Sequence, residues 1–377
     1  MKYITILIVG FLVLKAEAQS SALVIGDSLY VRGNYTNAVN AYKQYTDSIK
    51  VFDKIAKAYI GLGNYDEALH FYNKSVDQDS TNELVKYEYA KLLSKTKKYE
   101  EASEEFHELI DVDYKNPNYH YELGLVLENL NDSTAQNRFW SAFQLDRTHQ
   151  KAIYRMAKYN LIKGKNKLAD YYIDIGLESY ANNKELISLK AQNHYVRKQF
   201  EKAAIWFEKL VALNEKTQFI HEKLRNCYTN MMEYEKAITH GELALAFEKE
   251  NVNNLFILGE LYEKVFDYEK AEKYMRLSLV MQDVALDKEY SKLGTVLNFQ
   301  KKHKEAIDIF KRAIEENPEN ENAQFYLVFT KVRYYKDIKT KIELLENYKI
   351  KFPESKFNEM ADFLIKQLKE EQFLKED

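Results

Sequence analysis

Small and large apolar residues recur at fixed places along the chain. Residues 63–72 read GNYDEALHFY, and the same phrase returns as GNYTNAVNAY at 33–42, KKYEEASEEF at 97–106, FDYEKAEKYM at 266–275 and KKHKEAIDIF at 301–310. Its alanine stands at positions 38, 68, 102, 135, 169, 203, 237, 271 and 306, with spacings of 30, 34, 33, 34, 34, 34, 34 and 35. A period near 34 sustained over most of a chain predicts a solenoid of stacked units, each too small to bury its own apolar face.

The remaining places predict what each unit is. Twelve residues before the alanine (eleven in the fourth unit) stands a small residue, as at Gly26, Ala56, Ala90, Gly124, Gly259 and Gly294. Four after it stands a large one, as at Tyr42, Tyr72, Phe106, Phe139, Phe207 and Phe310. Within each half the apolar positions fall three or four apart, the period of an amphipathic helix. Short turn material separates the halves, LGN at 62–64 and KGK at 163–165 among them. Each unit therefore reads as helix, tight turn, helix, with the small residue and the alanine allowing close approach and the rings filling the space beside it. Pro117, Pro318 and Pro353 all fall between units, where proline is tolerated.

Two units break the pattern. In the seventh, Arg225 stands at the small place and Gly241 at the ring place, which suggests a local exchange of volume. In the tenth, Thr340 takes the place of the alanine. The segment PESKFNEMADFLIKQL follows, with Phe357, Met360, Ala361, Leu364, Ile365 and Leu368 as one helical stripe, and then a polar tail, KEEQFLKED. A final helix with one apolar face is what the open end of a solenoid requires as a cap.

The phrase GNYDEALHFYNKSV, the Leu-Gly pairs 123–124, 258–259 and 293–294, and AIDIFKRAIEENPEN resemble the tetratricopeptide repeat family. The resemblance covers about ten repeats and implies an all-α, right-handed superhelical solenoid over residues 19–353, with a capping helix and tail at 354–377. It also implies a groove, lined by the first helices, that receives segments of partner proteins.

Composition narrows the rest. A formal charge of −3 over 377 residues offers no general attraction to nucleic acid. A lone cysteine, Cys227, excludes an intrachain disulfide, and the eight histidines show no metal-ligand spacing. Gly-rich phosphate loops and nucleophile motifs are missing, so neither an enzyme nor a cofactor is expected. Residues 1–18 combine a positive start, the apolar run YITILIVGFLVL and the small-residue sequence AEA before Gln19. That is the form of a signal peptide, too short for a durable membrane span, and the expected mature protein begins at Gln19 in the periplasm or beyond.

The residues that the repeat does not use point to binding. Tyr87, Tyr121 and Tyr154 occupy one place on three successive first helices, and Lys57, Lys91 and Lys158 stand one turn on. By resemblance these six line the groove. At the same places in later repeats stand Ser188, Glu222, Phe256 and Ser291, with Gln192, Asn226, Glu260 and Thr295 a turn on, so the lysines stop. The lysine-then-asparagine element with which some family members grip a terminal carboxylate is absent. The expected function is a scaffold or adaptor of the cell envelope that binds a protein or peptide segment. The alternatives are a binder of cell-wall or surface glycan and a non-catalytic subunit of an envelope enzyme complex.

Overall fold

A computed structural model of the chain describes residues 22–45, 50–281 and 286–376. The expected leader and the cleavage point at Gln19 lie outside the described residues. The described residues form α-helices joined by short turns and contain no strand. They pair as the sequence implies. The first five repeats comprise 22–31 with Tyr35–Lys43, Phe52–Gly61 with Tyr65–Gln78, Glu83–Lys95 with Tyr99–Val112, Pro117–Asn129 with Ala135–Leu145, and Gln150–Ile162 with Asn166–Ser179. The next five comprise Lys184–Val196 with Phe200–Ala212, Gln218–Asn230 with Tyr234–Phe247, Val252–Lys264 with Tyr268–Val280, Asp287–Phe299 with His303–Glu316, and Glu321–Tyr334 with Ile338–Lys351. A last helix spans Asn358–Glu376. The chain divides into two compact units, Met1–Leu189 and Lys190–Asp377, and the helix Lys184–Val196 carries the division.

One contact explains why the small residue and the ring recur together. A β-carbon placed on Gly26 would lie 2.4 Å from the Tyr42 ring, one on Gly124 2.6 Å from Phe139, and one on Gly294 2.7 Å from Phe310. The ring of the second helix thus occupies the space that the small residue of the first helix leaves empty. Tyr42, Phe139 and Phe310 are at most 1% exposed, and Ala38, Ala135 and Ala306 at most 3%. Burying a large side chain of this kind contributes roughly 1.5–3 kcal/mol, and in repeat 8 Met275 takes the ring's part, 2.6 Å from a β-carbon placed on Gly259.

Repeat 7 keeps the contact with its partners reversed. The stem of Arg225 lies against Gly241, whose added β-carbon would stand 3.4 Å from Arg225 Cδ and 2.7 Å from Leu258 Cδ2. The exchange of volume is therefore real, but Arg225 is more than a filler. Its guanidinium is buried and donates from Nη1 to Asn254 Oδ1 at 2.6 Å and from Nε to Asn226 Oδ1 at 3.1 Å.

In repeats 1 to 9 the turn within the repeat is closed by a residue in the left-handed region, such as Gly63 at φ 74° or Lys97 at φ 63°. The next amide reaches back to close the helix end, as from Asn64 to the Tyr59 carbonyl and from Lys98 to the Leu93 carbonyl, both at 2.9 Å. In four repeats the new helix is capped by a side chain, from Asn34, Asn64, Asp267 or Asp337, as when Asn64 accepts from the Glu67 amide. Pro117 sits in the first turn of its helix, while Pro318 and Pro353 lie in segments between helices.

The C-terminal end differs from the sequence reading at three points. Thr340 does not take the alanine's buried place: it bonds Asp337 at the start of its helix, and Ile342, Leu345 and Tyr348 turn inward instead. Met360 is 50% exposed and falls off the buried stripe, which consists of Ala361, Ile365 and Leu368 with Leu364 partly covered. The polar tail is not separate, because the helix runs on to Glu376. Phe357 stacks on Phe325, centroids 4.3 Å apart, and so joins the last helix to repeat 10.

Candidate partner-binding surface

The six residues singled out from the sequence lie on the first helices of repeats 2 to 5, all in the first unit. Within each repeat the tyrosine and lysine four residues apart do meet. Lys91 Nζ lies 5.0 Å from the centre of the Tyr87 ring, and Lys158 Nζ 5.7 Å from that of Tyr154. An ammonium over a ring face is attracted by its quadrupole, which holds the lysine along the helix and presents both groups together. Lys57 has no ring; its ammonium is tied to Asp53 at 2.9 Å.

The three tyrosines are not equivalent. Tyr121 is 8% exposed, its ring packed between Phe139 and His149, so it belongs to the core rather than to a binding face. Tyr87 is half-buried against Tyr119 and Phe106. Its hydroxyl is held in the neutral form, first by burial and then by the neighbouring Glu122 carboxylate. Tyr154 is likewise half-buried against the core, with Lys158 exposed beside it.

Reading only the tyrosine and lysine places missed the position between them. One residue after each tyrosine come Glu88, Glu122 and Arg155. Glu88 reaches Lys91 at 3.5 Å, and Arg155 reaches Glu128 at 2.7 Å and flanks the Tyr121 hydroxyl. Burial raises the pKa of Glu122 despite Lys91 and Lys151 nearby and a hydrogen bond from the Tyr87 hydroxyl, so this carboxyl ties the Tyr87 ring to the next repeat. The surface is thus a row of rings with alternating charges. The signal was in the sequence, one place along from where it was sought.

In the second unit the lysines do not stop; they shift by one place. Lys292 sits beside Ser291, pairs with Glu260 and lies 5.8 Å from the centre of the Phe256 ring, and burial lowers its pKa. Lys223 lies likewise 4.5 Å from the centre of the Tyr195 ring. Glu260 and Lys292 line a cleft of about 370 Å³ with Thr229, Ile257, Lys264 and Thr295. The expected loss of lysines along the chain is therefore corrected: the ring and the cation now come from consecutive repeats.

Other chemistry-bearing residues are engaged in packing. Burial pushes the Cys227 thiol up to about 12, which keeps it protonated and unreactive at neutral pH. His221 and His240 stack at 5.3 Å, and His240 Nε2 meets Glu208 at 3.1 Å. No group of three metal-ligating side chains occurs among the described residues, nor does any helix long and apolar enough to cross a membrane.

Comparison with known proteins places the fold. Family models described as tetratricopeptide repeat match residues 59–123 and, in a second version, 252–280 and 290–320. Anaphase-promoting complex subunit 3 of Schizosaccharomyces pombe is 22% identical over 144 residues, which are 38% of this chain and 22% of that protein. The chain therefore spans about a fifth of that relative. The C-terminal part of a TPR repeat-containing protein from Cytophaga hutchinsonii superposes with a TM-score of 0.50 at 17% identity, covering 63% of this chain and 97% of that one. A tetratricopeptide repeat protein from Parabacteroides merdae gives 0.46 at 14% identity, covering 67% and 98%.

Proposed function

Because the chain is a tetratricopeptide repeat protein, we propose that it is a non-enzymatic scaffold that binds a protein or peptide segment on the first-helix face of repeats 2 to 5. The observation that carries this reading is the set Tyr87, Lys91, Glu122, Tyr154 and Lys158. The two rings lie half-buried on the first helices, outside the places that the small residue, alanine and ring occupy in each repeat, and Lys91 and Lys158 lie over them. An extended peptide offers what this face complements: side chains to lie on Tyr154 and acidic groups for Lys91 and Lys158.

The site belongs to the cell envelope on the strength of residues 1–18 and the AEA sequence before Gln19, and the periplasm is the proposed compartment. Amino-terminal sequencing of exported protein should begin at Gln19, and an intact Met1 there would overturn the assignment to export by cleavage. The binding reading is tested by screening the exported protein on peptide and glycan arrays. Peptide ligands whose signal falls in Tyr154→Ala support it. Glycan ligands alone would transfer the function to the carbohydrate class.

A further inference from the structure

The turns within the repeats carry side chains that neither packing nor backbone preference explains. Where the left-handed place is glycine, at Gly33, Gly63 and Gly164, an added β-carbon would meet nothing within 4 Å, so a side chain there projects into solvent. In repeats 7 and 8 the place is taken by Met232 at φ 62° and Phe266 at φ 64°, exposed to 74% and 76%. Both are unfavourable choices for a turn: positive φ disfavours any bulky residue, and water disfavours the exposed apolar surface. Glycine or asparagine would suit the backbone, and lysine, present at Lys198 and Lys301, would suit the solvent.

The neighbouring repeats extend the feature. Val196, Phe299 and Tyr334 close the first helices of repeats 6, 9 and 10 and are 60%, 57% and 47% exposed. Phe266 touches Tyr268, and Tyr268 stacks on Phe299 at 5.0 Å. Five successive repeats of the second unit thus present an apolar tip at the same turn.

The turns on either side of Met232 and Phe266 carry the basic residues. The five segments joining the two helices of a repeat in the second unit hold five lysines or arginines, all in repeats 6, 9 and 10, against three acidic residues, Glu233, Asp267 and Asp337. The segments that follow those repeats hold three against five among the described residues. Cations at the ends of the first helices also suit the helix dipole, but the dipole gives no reason for Met232 or Phe266.

We infer that the turn edge of the second unit docks on an anionic lipid surface. Met232, Phe266 and Phe299 enter the headgroup boundary, and Lys198, Lys301 and Lys336 meet the phosphates. Separate tips, one to a repeat, enclose no groove for a peptide. A bilayer interface receives them singly, because it deforms around each side chain and supplies negative charge along the whole edge.

The test uses purified exported protein and sedimentation with vesicles of phosphatidylglycerol and phosphatidylcholine, against phosphatidylcholine alone. Binding is expected to the anionic vesicles and to fall at least tenfold in Met232→Gly/Phe266→Gly. That variant gives the left-handed turns the residue they prefer, so its melting temperature should hold or rise, which separates lost docking from lost folding. A Lys198/Lys301/Lys336→Gln triple variant should lose most of the salt dependence. Absence of wild-type binding, equal binding to the neutral vesicles, or undiminished binding by the double glycine variant would each overturn the proposal.

Discussion

Arg225 and Asn254, one repeat apart, share a 2.6 Å hydrogen bond buried between the first helices of repeats 7 and 8. Asn254 passes the link on, donating to Glu222 Oε1 at 2.9 Å, and Gln218 donates to the same oxygen at 3.0 Å. From the sequence, Arg225→Ala would remove only a stem filling space beside Gly241. With the network present, it also strands the Asn254 side-chain carbonyl and removes the cation beside Glu222. The expected loss is about 2–4 kcal/mol, read from the urea midpoint. Arg225→Met, which keeps the stem, should recover only part of it.

The contact between small residue and ring gives a second expectation. Gly124→Ala places a methyl 2.6 Å from the Phe139 ring, which has no room to retreat at 0% exposure. Ala169, also 0% exposed, should respond to Leu in the same sense. Each should destabilise by about 1–3 kcal/mol through overpacking. A neutral Ala169→Leu would show that its alanine is not at a closed helix contact.

Acid should loosen repeats 4 and 5. Burial holds His120 and His149 below the ordinary imidazole pKa. His149 Nδ1 also accepts from the Ala152 amide as a helix cap, which a protonated ring cannot do. The folded protein therefore binds fewer protons than the unfolded chain below about pH 6.5, so stability is intact above that value and falls as pH drops through it. Thermal melts from pH 7.5 to 5 should show the decline. His149→Asn, which caps without titrating, should flatten it, whereas an unchanged slope would assign the effect elsewhere.

Ligand titrations should weight the face of repeats 2 to 5 unevenly. Tyr154→Ala should weaken binding by about 1 kcal/mol or more, since its half-buried ring lies beside the exposed Lys158. Tyr121→Ala should instead lower stability, its ring being 8% exposed. A Lys57/Lys91/Lys158→Ala variant should lose salt sensitivity more than affinity. Phe256, with Lys292 over its ring, is unsuited as a control; Trp140→Ala, on a second helix and 50% exposed, serves as one.

The repeat was legible because its rule is local: a small residue, an alanine and a ring at fixed spacing report a helix pair wherever they occur. Contacts between repeats are not written that way. The shift of cations from Lys158, in register with Tyr154, to Lys292, out of register with Phe256, depends on which neighbour each side chain leans towards. The burial of Tyr121 was hidden for the same reason, because its ring is covered by His149 from the following repeat. Thr340 misled differently. Spacing put it at the alanine's place, but Asp337 started the helix there and moved the inward face two residues on.

The small core at the C-terminal end has a kinetic meaning. Val332, Ile342, Leu345, Ala361, Ile365 and Leu368 form a cluster of their own, without the alanine contact of the other repeats. Such a patch opens as a separate foldon, at a lower free energy than the repeats before it. Its amides should exchange with deuterium first, and a protease should nick near Tyr335 and Lys336, both exposed, while the preceding repeats stay intact.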